Sequence, residues 1–399
     1  PDLREVVELE LKEFLNSSFL KDCPVVPVSS RSGEGLNRIR EEIRTLFGEV
    51  TCRSSEGIPR LPVDRSFNMH GFGTVVTGTL VAGVLREGEE IEMLPGGDRG
   101  RIRGIQVHGH EVREVSAGCR TAVNIQGLRC AQAPRGTVLS TPGRLQTTTR
   151  IGARVRHMET APSSIRKGGT VRFHQGTGEQ DARVRILGDL GEGEQDVEIV
   201  LEQPAVLLPG DRFILRRPMP VDTLGGGEVT DNNPPRGREA REERASAAAG
   251  QPGMNDPVLL RLARQGLKGS RADALAVELG LAPEQFDVRL SALEGDGRLV
   301  KAAGRLFAAD ALGRLEDEVL QRLERFHREV PLKQGMSGER LRGELCREMP
   351  QDSWRAFLNR LRAGSAIRIQ ADLLALASHQ VVLAPEDESR ILEMENRFR

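Results

Sequence analysis

Hydrophobic positions at the start of the chain recur at helical spacing. Over residues 3–20 they follow a three-to-four-residue repeat, which predicts an amphipathic helix. Residues 24–28 form a short apolar run, typical of a buried strand, and a polar loop follows them. A second amphipathic pattern covers residues 36–47. Residues 1–50 therefore predict a helix, strand, loop and helix from an α/β sheet, a piece too small to fold alone.

The pattern changes to short β-rich runs between residue 60 and about residue 229. Glycine turns separate these runs every 8–12 residues or so, which is typical of antiparallel barrels. The length suffices for two barrels, at residues 58–142 and 143–233, with a seam near Pro142 and Gly143. The clearest predicted strands are residues 74–77, 90–94, 101–107, 121–125, 182–187, 197–201 and 213–215.

The remainder of the chain is mainly helical and contains a faint repeat. Residues 234–253 are charged and of low complexity, with proline and glycine at their ends, which predicts a linker. Beyond them, the pattern Phe-x-x-Arg-Leu occurs at residues 286–290 and 357–361, each time before two short β-runs. This order predicts two α+β winged helices, at 254–311 and 312–384, and residues 385–399 resemble the start of a truncated third.

Composition excludes several classes of protein. A net charge of −1 over 399 residues argues against a globally basic nucleic-acid binder, although it permits a local basic face. No apolar run is long enough for a membrane span and no signal peptide opens the chain, so we expect a cytoplasmic protein with no membrane partner. The five cysteines are scattered, and His108 and His110 lack further ligands at suitable spacing, so no metal site is predicted.

The barrel region contains three pairs of motifs: LPVDRSF at 61–67 with GFGTVVTGT at 71–79, RGIQVH at 103–108 with AGCRTAVN at 117–124, and RRP at 216–218 with TLGGGEV at 223–229. These motifs resemble domains II and III of translational GTPases. Among these proteins, the selenocysteine-specific elongation factors (the SelB family) are similar in the second pair of motifs and in having winged helices after domain III.

This resemblance implies that residues 1–50 are the end of a GTPase domain. Ser29, Ser30 and Arg31 then occupy the place of the loop that contacts the guanine base. The phosphate-binding motif G-x-x-x-x-G-K-[ST] and the Asn-Lys-x-Asp loop are absent from the chain, and no Asp-x-x-Gly loop occurs in residues 1–50. The intact parent is expected to use GTP and Mg²⁺, whereas this chain is expected to have no catalytic residue or cofactor of its own and not to hydrolyse GTP.

The resemblance also assigns Asp64, Arg65 and Arg120 to the selenocysteinyl group of the tRNA. A selenol is a stronger acid than a thiol, whose free pKa is about 8.5, so it is largely anionic at neutral pH. Two guanidiniums can bind that anion while the carboxylate orients one of them. The alternative is a surface Asp–Arg pair beside an unrelated strand arginine.

The recognition helices of the winged helices are expected at residues 283–293 and Gln351–Ala363. The second carries Arg355, Arg360 and Arg362, which are candidates for contacts with RNA phosphates. In the family the mRNA hairpin binds to later winged helices that this chain lacks, so both units are alternatively spacers. Trp354 and Phe357 fit a helix core better than a platform for stacked bases.

The sequence thus favours one function and leaves two alternatives. The favoured one is delivery of selenocysteinyl-tRNA to the ribosome at a recoded UGA codon by a monomeric factor. The first alternative is a fragment of another translational GTPase, and the second is a winged-helix DNA-binding regulator. Residues 225–227 are three glycines, which we interpret as a structural turn because they lack the βαβ context and lysine of a phosphate loop.

Overall fold

The computed structural model describes residues 2–16, 18–50, 55–71, 73–158, 168–187, 194–236, 256–381 and 394. The chain divides into two compact units, residues 1–53 and 54–399. The predicted linker, except for residues 234–236, and the predicted third winged helix, except for Met394, lie outside the described residues. In the described parts of the chain, no helix combines the length and apolarity that a membrane crossing requires.

The first unit contains the two predicted helices, α1 (Asp2–Leu15) and α2 (Leu36–Glu49). The predicted strand at residues 24–28 is wrong, because this segment forms no ladder and Val28 is half exposed. A strand needs a partner for its backbone N–H and C=O groups. The described residues of this unit supply no second strand, so an apolar run alone does not produce one.

The second unit begins with a closed antiparallel barrel, called barrel A here. Its strands lie in the order β4-β9-β1-β2-β8-β5, and pairing of β5 with β4 closes the ring. Alternating residues of these strands, such as Leu61, Val63 and Val123, fill the interior. Strand β6 pairs with β5 outside the ring, and β3 and β7 form a separate two-stranded sheet. The strands of this region are β1 (Arg60–Met69), β2 (Gly73–Thr79), β3 (Val84–Arg86), β4 (Glu90–Leu94), β5 (Asp98–Val107), β6 (His110–Val112), β7 (Glu114–Ser116), β8 (Arg120–Gln126) and β9 (Val138–Ser140).

A second closed barrel, barrel B, follows in the order β10-β13-β12-β11-β14-β15. Arg60 of barrel A donates two hydrogen bonds, of 2.8 and 2.6 Å, to the Asp211 carboxylate of barrel B. Both barrels are antiparallel, as predicted. The strands are β10 (Thr148–His157), β11 (Thr170–Gln175), β12 (Gly178–Ile186), β13 (Glu194–Ala205), β14 (Arg212–Arg216) and β15 (Thr223–Asp231).

The three glycines at 225–227 lie within β15, so their interpretation as a turn is wrong. They permit close approach of the neighbouring strands. A Cβ on Gly227 would lie 2.1 Å from the carbonyl oxygen of Arg154, and one on Gly225 would lie 2.4 Å from that of Arg156. The glycines therefore allow the tight closure of barrel B.

Two winged helices complete the unit, and the faint repeat in the sequence corresponds to a repeated order of elements. Their sheets are β16-β18-β17 and β19-β21-β20. Phe307 of the first packs into the core of the second. The elements are α3 (Pro257–Gln265), β16 (Ser270–Arg271), α4 (Ala272–Leu279), α5 (Pro283–Gly295), β17 (Leu299–Ala302) and β18 (Arg305–Ala308), then α6 (Ala309–Glu329), β19 (Met336–Ser337), α7 (Gly338–Leu345), α8 (Gln351–Ala363), β20 (Ile367–Gln370) and β21 (Leu373–Leu376).

Candidate functional site

Three adjacent strands of barrel A bring Asp64, Arg65 and Arg120 to one place. Strand β2 lies between β1 and β8, so residues of all three strands share a surface. Arg65 of β1 is paired with Thr77 of β2, and Arg120 of β8 is paired with Thr79. Residues that are far apart in the sequence thus become neighbours through strand pairing.

A β-bulge at Asp64 sets the direction of these side chains. The ladder pairs Val63 with Gly78 and then Arg65 with Thr77, so Asp64 is an extra residue without a partner on β2. Bulges of this kind redirect side chains. Gly78 allows the close approach of the strands here, because a Cβ on it would lie 2.2 Å from the carbonyl oxygen of Pro62.

The carboxylate of Asp64 is held by two neighbours. Arg120 donates to both of its oxygens: Nη1 to Oδ2, and Nη2 to Oδ1 at 3.2 Å. The hydroxyl of Thr77 donates to Oδ1 at 2.6 Å. The side chain of Asp64 is 19% exposed and that of Arg120 is 55% exposed, so the carboxylate forms the base of the cluster and the guanidinium its outer part.

Electrostatics keep this cluster ionised. Partial burial by itself would raise the pKa of Asp64, but hydrogen bonds from Arg120 and Thr77 bring it below its usual value, and the charges of Arg120 and Arg65 add to this effect. The hydrogen bond to Asp64 raises the pKa of Arg120. Asp64 therefore remains a carboxylate at neutral pH.

Arg65 differs from Arg120 in its contacts. It is exposed, and among the described residues it makes no ion pair. One carboxylate and two guanidiniums leave the cluster with one net positive charge on an accessible surface. This arrangement suits a small anion, which would accept charge-assisted hydrogen bonds from both arginines.

The loop at Ser29, Ser30 and Arg31 lies in the first unit and is folded on itself. The N–H of Ser29 donates to the carbonyl oxygen of Glu34 at 3.0 Å, and the hydroxyl of Ser29 accepts from the N–H of Ser32 at 3.1 Å. The side chains of Ser30 and Arg31 are exposed. The loop thus presents two polar side chains to solvent.

The three arginines of α8 do not share one face. Arg355 and Arg362 are seven residues apart and therefore on the same side, whereas Arg360 is about 140° around the helix from Arg355. Arg360 contacts Glu316 of α6 at 3.5 Å, while the one ion pair of Arg355 among the described residues is a long, exposed contact with Asp352 at 3.8 Å. Trp354 and Phe357 are buried and stacked, with ring centroids 5.7 Å apart, which confirms their interpretation as core residues.

Thr77 is the contact that the sequence analysis missed. It was part of a recognised motif, but the motif does not show which side chain faces Asp64. The pairing register of β1 with β2 supplies that information, because it places Thr77 opposite Arg65 and beside the bulge.

Comparison with known proteins connects these barrels and winged helices to one group of translation factors. Three family models match: "Elongation factor Tu domain 2" over residues 73–140, "Selenocysteine-specific elongation factor, beta-barrel domain" over 152–236, and "Elongation factor SelB, winged helix" over 320–376. The selenocysteine-specific elongation factor of Desulfomicrobium baculatum is 33% identical over 407 residues, which cover 100% of this chain and 64% of that protein. The chain therefore spans less than two thirds of the length of this curated relative.

Solved structures give the same architecture. The crystal structure of a bacterial selenocysteine-specific elongation factor, EF-Sec, superposes with a TM-score of 0.71 at 18% identity, covering 98% of this chain and 60% of that one. SelB from Methanococcus maripaludis in complex with the GTP analogue GppNHp superposes with a TM-score of 0.52 at 25% identity, covering 58% of this chain and 56% of that one.

Proposed function

Because the chain belongs to the family of selenocysteine-specific elongation factors, we propose that it binds selenocysteinyl-tRNA and acts in its delivery to the ribosome at a recoded UGA codon. This membership favours the selenocysteine factor over the alternative of another translational GTPase. We place this activity in the cytoplasm, where the factor acts as a monomer. The mRNA hairpin is then recognised by winged helices beyond the two seen here.

The Asp64–Arg120 ion pair beside Arg65 is the observation that carries the proposal. A selenolate next to the two arginines replaces solvent with charge-assisted hydrogen bonds. A serine hydroxyl on the same tRNA is neutral and leaves the second positive charge without a partner. The cluster therefore discriminates by charge, which shape alone cannot provide between serine and selenocysteine.

GTP belongs in this proposal to the longer factor and not to these 399 residues. The loop at Ser29, Ser30 and Arg31 offers a hydroxyl and a guanidinium that suit the polar edge of a guanine. The sequence contains no phosphate-binding glycine loop with its lysine, so these residues do not fit the triphosphate or its Mg²⁺. When bound to the longer factor, GTP supplies the timing of tRNA release.

The winged helices contribute RNA contacts through one face of α8. Arg355 and Arg362 share that face and are exposed, so they are placed to meet phosphates. Arg360 is also exposed, but it pairs with Glu316 of its own winged helix on another side of α8, so we do not assign it to this RNA face. This assignment separates the three arginines, which the sequence had grouped.

The test compares two aminoacyl-tRNAs that share one tRNA body, one charged with selenocysteine and the other with serine. Their Kd values for the 399-residue chain are measured at the same pH and low salt. We expect seryl-tRNA to bind at least about tenfold more weakly, since a hydrogen bond to a charged group contributes about 1.5–3 kcal/mol. Equal Kd values would exclude the pocket.

Two variants that each replace one arginine by an uncharged glutamine, one inside the cluster and one outside it, extend that comparison. Arg120→Gln is expected to bring the two Kd values together by weakening selenocysteinyl-tRNA alone. Arg86→Gln removes a guanidinium of β3 that is paired with Glu114 away from the cluster, and it is expected to leave the ratio unchanged.

A further inference from the structure

The uncharged side chain of Thr77 contacts the candidate anion pocket through Asp64. Its hydroxyl is 2.6 Å from Oδ1 of Asp64, the oxygen that also accepts from Nη2 of Arg120 at 3.2 Å. Oδ2 accepts from Nη1 of the same arginine. The carboxylate thus links one fixed hydroxyl to one guanidinium.

Backbone geometry explains why Asp64 needs this support. As the extra residue of a bulge, Asp64 has no partner on β2 to fix its backbone in the ladder. Thr77 lies in the regular part of β2, between its pairings with Arg65 and Ala122. The side chain of threonine is also branched at Cβ, which limits its χ1 to few rotamers. A rigid donor on β2 therefore adds a fixed hydrogen bond to a carboxylate whose other side-chain donor is the exposed guanidinium of Arg120.

We propose that Thr77 is a positioning residue for selenocysteine specificity: its hydroxyl orients Asp64, which in turn aims the Arg120 guanidinium at the incoming selenolate. The inference rests on the proposed function and adds a residue to it. Thr77 does not touch the ligand in this proposal. It raises the fraction of time that Arg120 has the binding orientation, and pre-organised donors bind more tightly because less freedom is lost on binding.

The experiment replaces the hydroxyl and keeps the branched shape. Thr77→Val is compared with Thr77→Ser, which retains a hydroxyl, and with Thr79→Val, which makes the same change two residues along the strand at an exposed site paired with Arg120. For each 399-residue chain, Kd is measured for selenocysteinyl- and seryl-tRNA of identical body. Thr77→Val is expected to reduce the ratio of the two Kd values about threefold, the effect of one further side chain that must be immobilised on binding. Thr77→Ser should restore most of that loss, and Thr79→Val should keep the ratio of the parent chain.

A second measurement on the same variants requires no tRNA. The carboxyl carbon of Asp64 is followed by NMR as the pH is lowered. Since the Thr77 hydroxyl is one of the groups that lower the pKa of Asp64, that pKa is expected to rise in Thr77→Val and to return in Thr77→Ser.

The possible failures are distinguishable. If the parent chain binds both tRNAs equally, the proposed function fails, and the role of Thr77 in specificity fails with it. If the parent chain discriminates while Thr77→Val keeps both its Kd ratio and its Asp64 pKa, the positioning role alone is overturned.

Discussion

At the scale of single residues, the two arginines of the pocket are held very differently. Arg120 is fixed by two hydrogen bonds to Asp64, whereas Arg65 makes no ion pair within the described residues. Lysine is a point charge that cannot reproduce the planar fork of arginine. We therefore expect Arg120→Lys to reduce the ratio of seryl- to selenocysteinyl-tRNA Kd about tenfold, and Arg65→Lys to reduce it about threefold or less.

The control for this pair is Arg86→Lys, which makes the same change in an exposed ion pair with Glu114 outside the cluster. Its Kd ratio should equal that of the parent chain. A larger loss in Arg65→Lys than in Arg120→Lys would show that the orientation imposed by Asp64 does not matter.

The sequence predicted three residues of the cluster and missed the fourth. Asp64, Arg65 and Arg120 could be named because the motifs that contain them resemble a family. Thr77 could not, because its role depends on a register that a one-residue shift would reverse. The bulge at Asp64 determines that register, and the residue types at 61–67 do not indicate a bulge.

At the scale of elements, β15 shows that close strand pairing can place glycines within a strand, although glycine usually indicates a turn. Glycine is weak in strands and common in turns, which favoured the turn interpretation. In the closed barrel, β15 pairs with β10 on one side and β14 on the other, and both approach closely.

The segment at residues 24–28 gives the converse case, since its apolar residues favour a strand but no neighbouring strand is available among the described residues of the first unit.

Gly227→Ala tests this account of β15. The new Cβ would meet the carbonyl oxygen of Arg154 at 2.1 Å and the ring of Phe213 at 3.0 Å. The carbonyl belongs to the backbone of a paired strand, so relief requires the ladder itself to move. We expect a loss of about 2 kcal/mol or more in the stability of barrel B, measured by hydrogen exchange of the β10 and β15 amides.

Gly104→Ala is the matched control for Gly227→Ala. Gly104 is also a strand glycine, but a Cβ there meets nothing within 4 Å. Gly104→Ala should change the stability of its own barrel, barrel A, by no more than about 0.5 kcal/mol. Equal exchange protection of barrel B in the two variants would refute close strand approach as the reason for the glycine.

At the scale of the whole second unit, the first winged helix is attached to barrel B by more than the chain between them. Asp231, at the end of β15, accepts hydrogen bonds from Arg261 and Arg264 of α3. Arg261 also contacts Asn232 at 2.7 Å and Glu278 at 2.7 Å, with only 5% of its side chain exposed. The low-complexity composition of residues 234–253 predicted a linker, and composition cannot reveal the long-range contacts that fix the two parts together.

Asp231 is central to this junction, because it accepts hydrogen bonds from two arginines. Burial alone would raise the pKa of Asp231, but Arg264 and Arg261 hold it below its usual value. Its stabilising contribution is therefore present at neutral pH and is lost only as the pH falls through that lowered pKa. Removing the charge at neutral pH takes the hydrogen bonds to Asp231 from both arginines, while Arg261 keeps its contact with Glu278, and the loss of hydrogen bonds between charged groups costs about 1.5–3 kcal/mol.

Asp231→Asn should therefore release the winged helices from barrel B. A protease site inserted between residues 244 and 250 is cut, and the pieces are separated by size exclusion. The pieces of the parent chain are expected to elute together, and those of Asp231→Asn to elute apart, since about 1.5–3 kcal/mol corresponds to an affinity loss of about tenfold or more. Asp273→Asn removes a carboxylate that pairs with Arg271 on the exposed surface of the same winged helix, and its pieces should still elute together. Separation of the parent pieces would mean that the connecting chain, and not the buried ion pairs, holds the winged helices to the barrel.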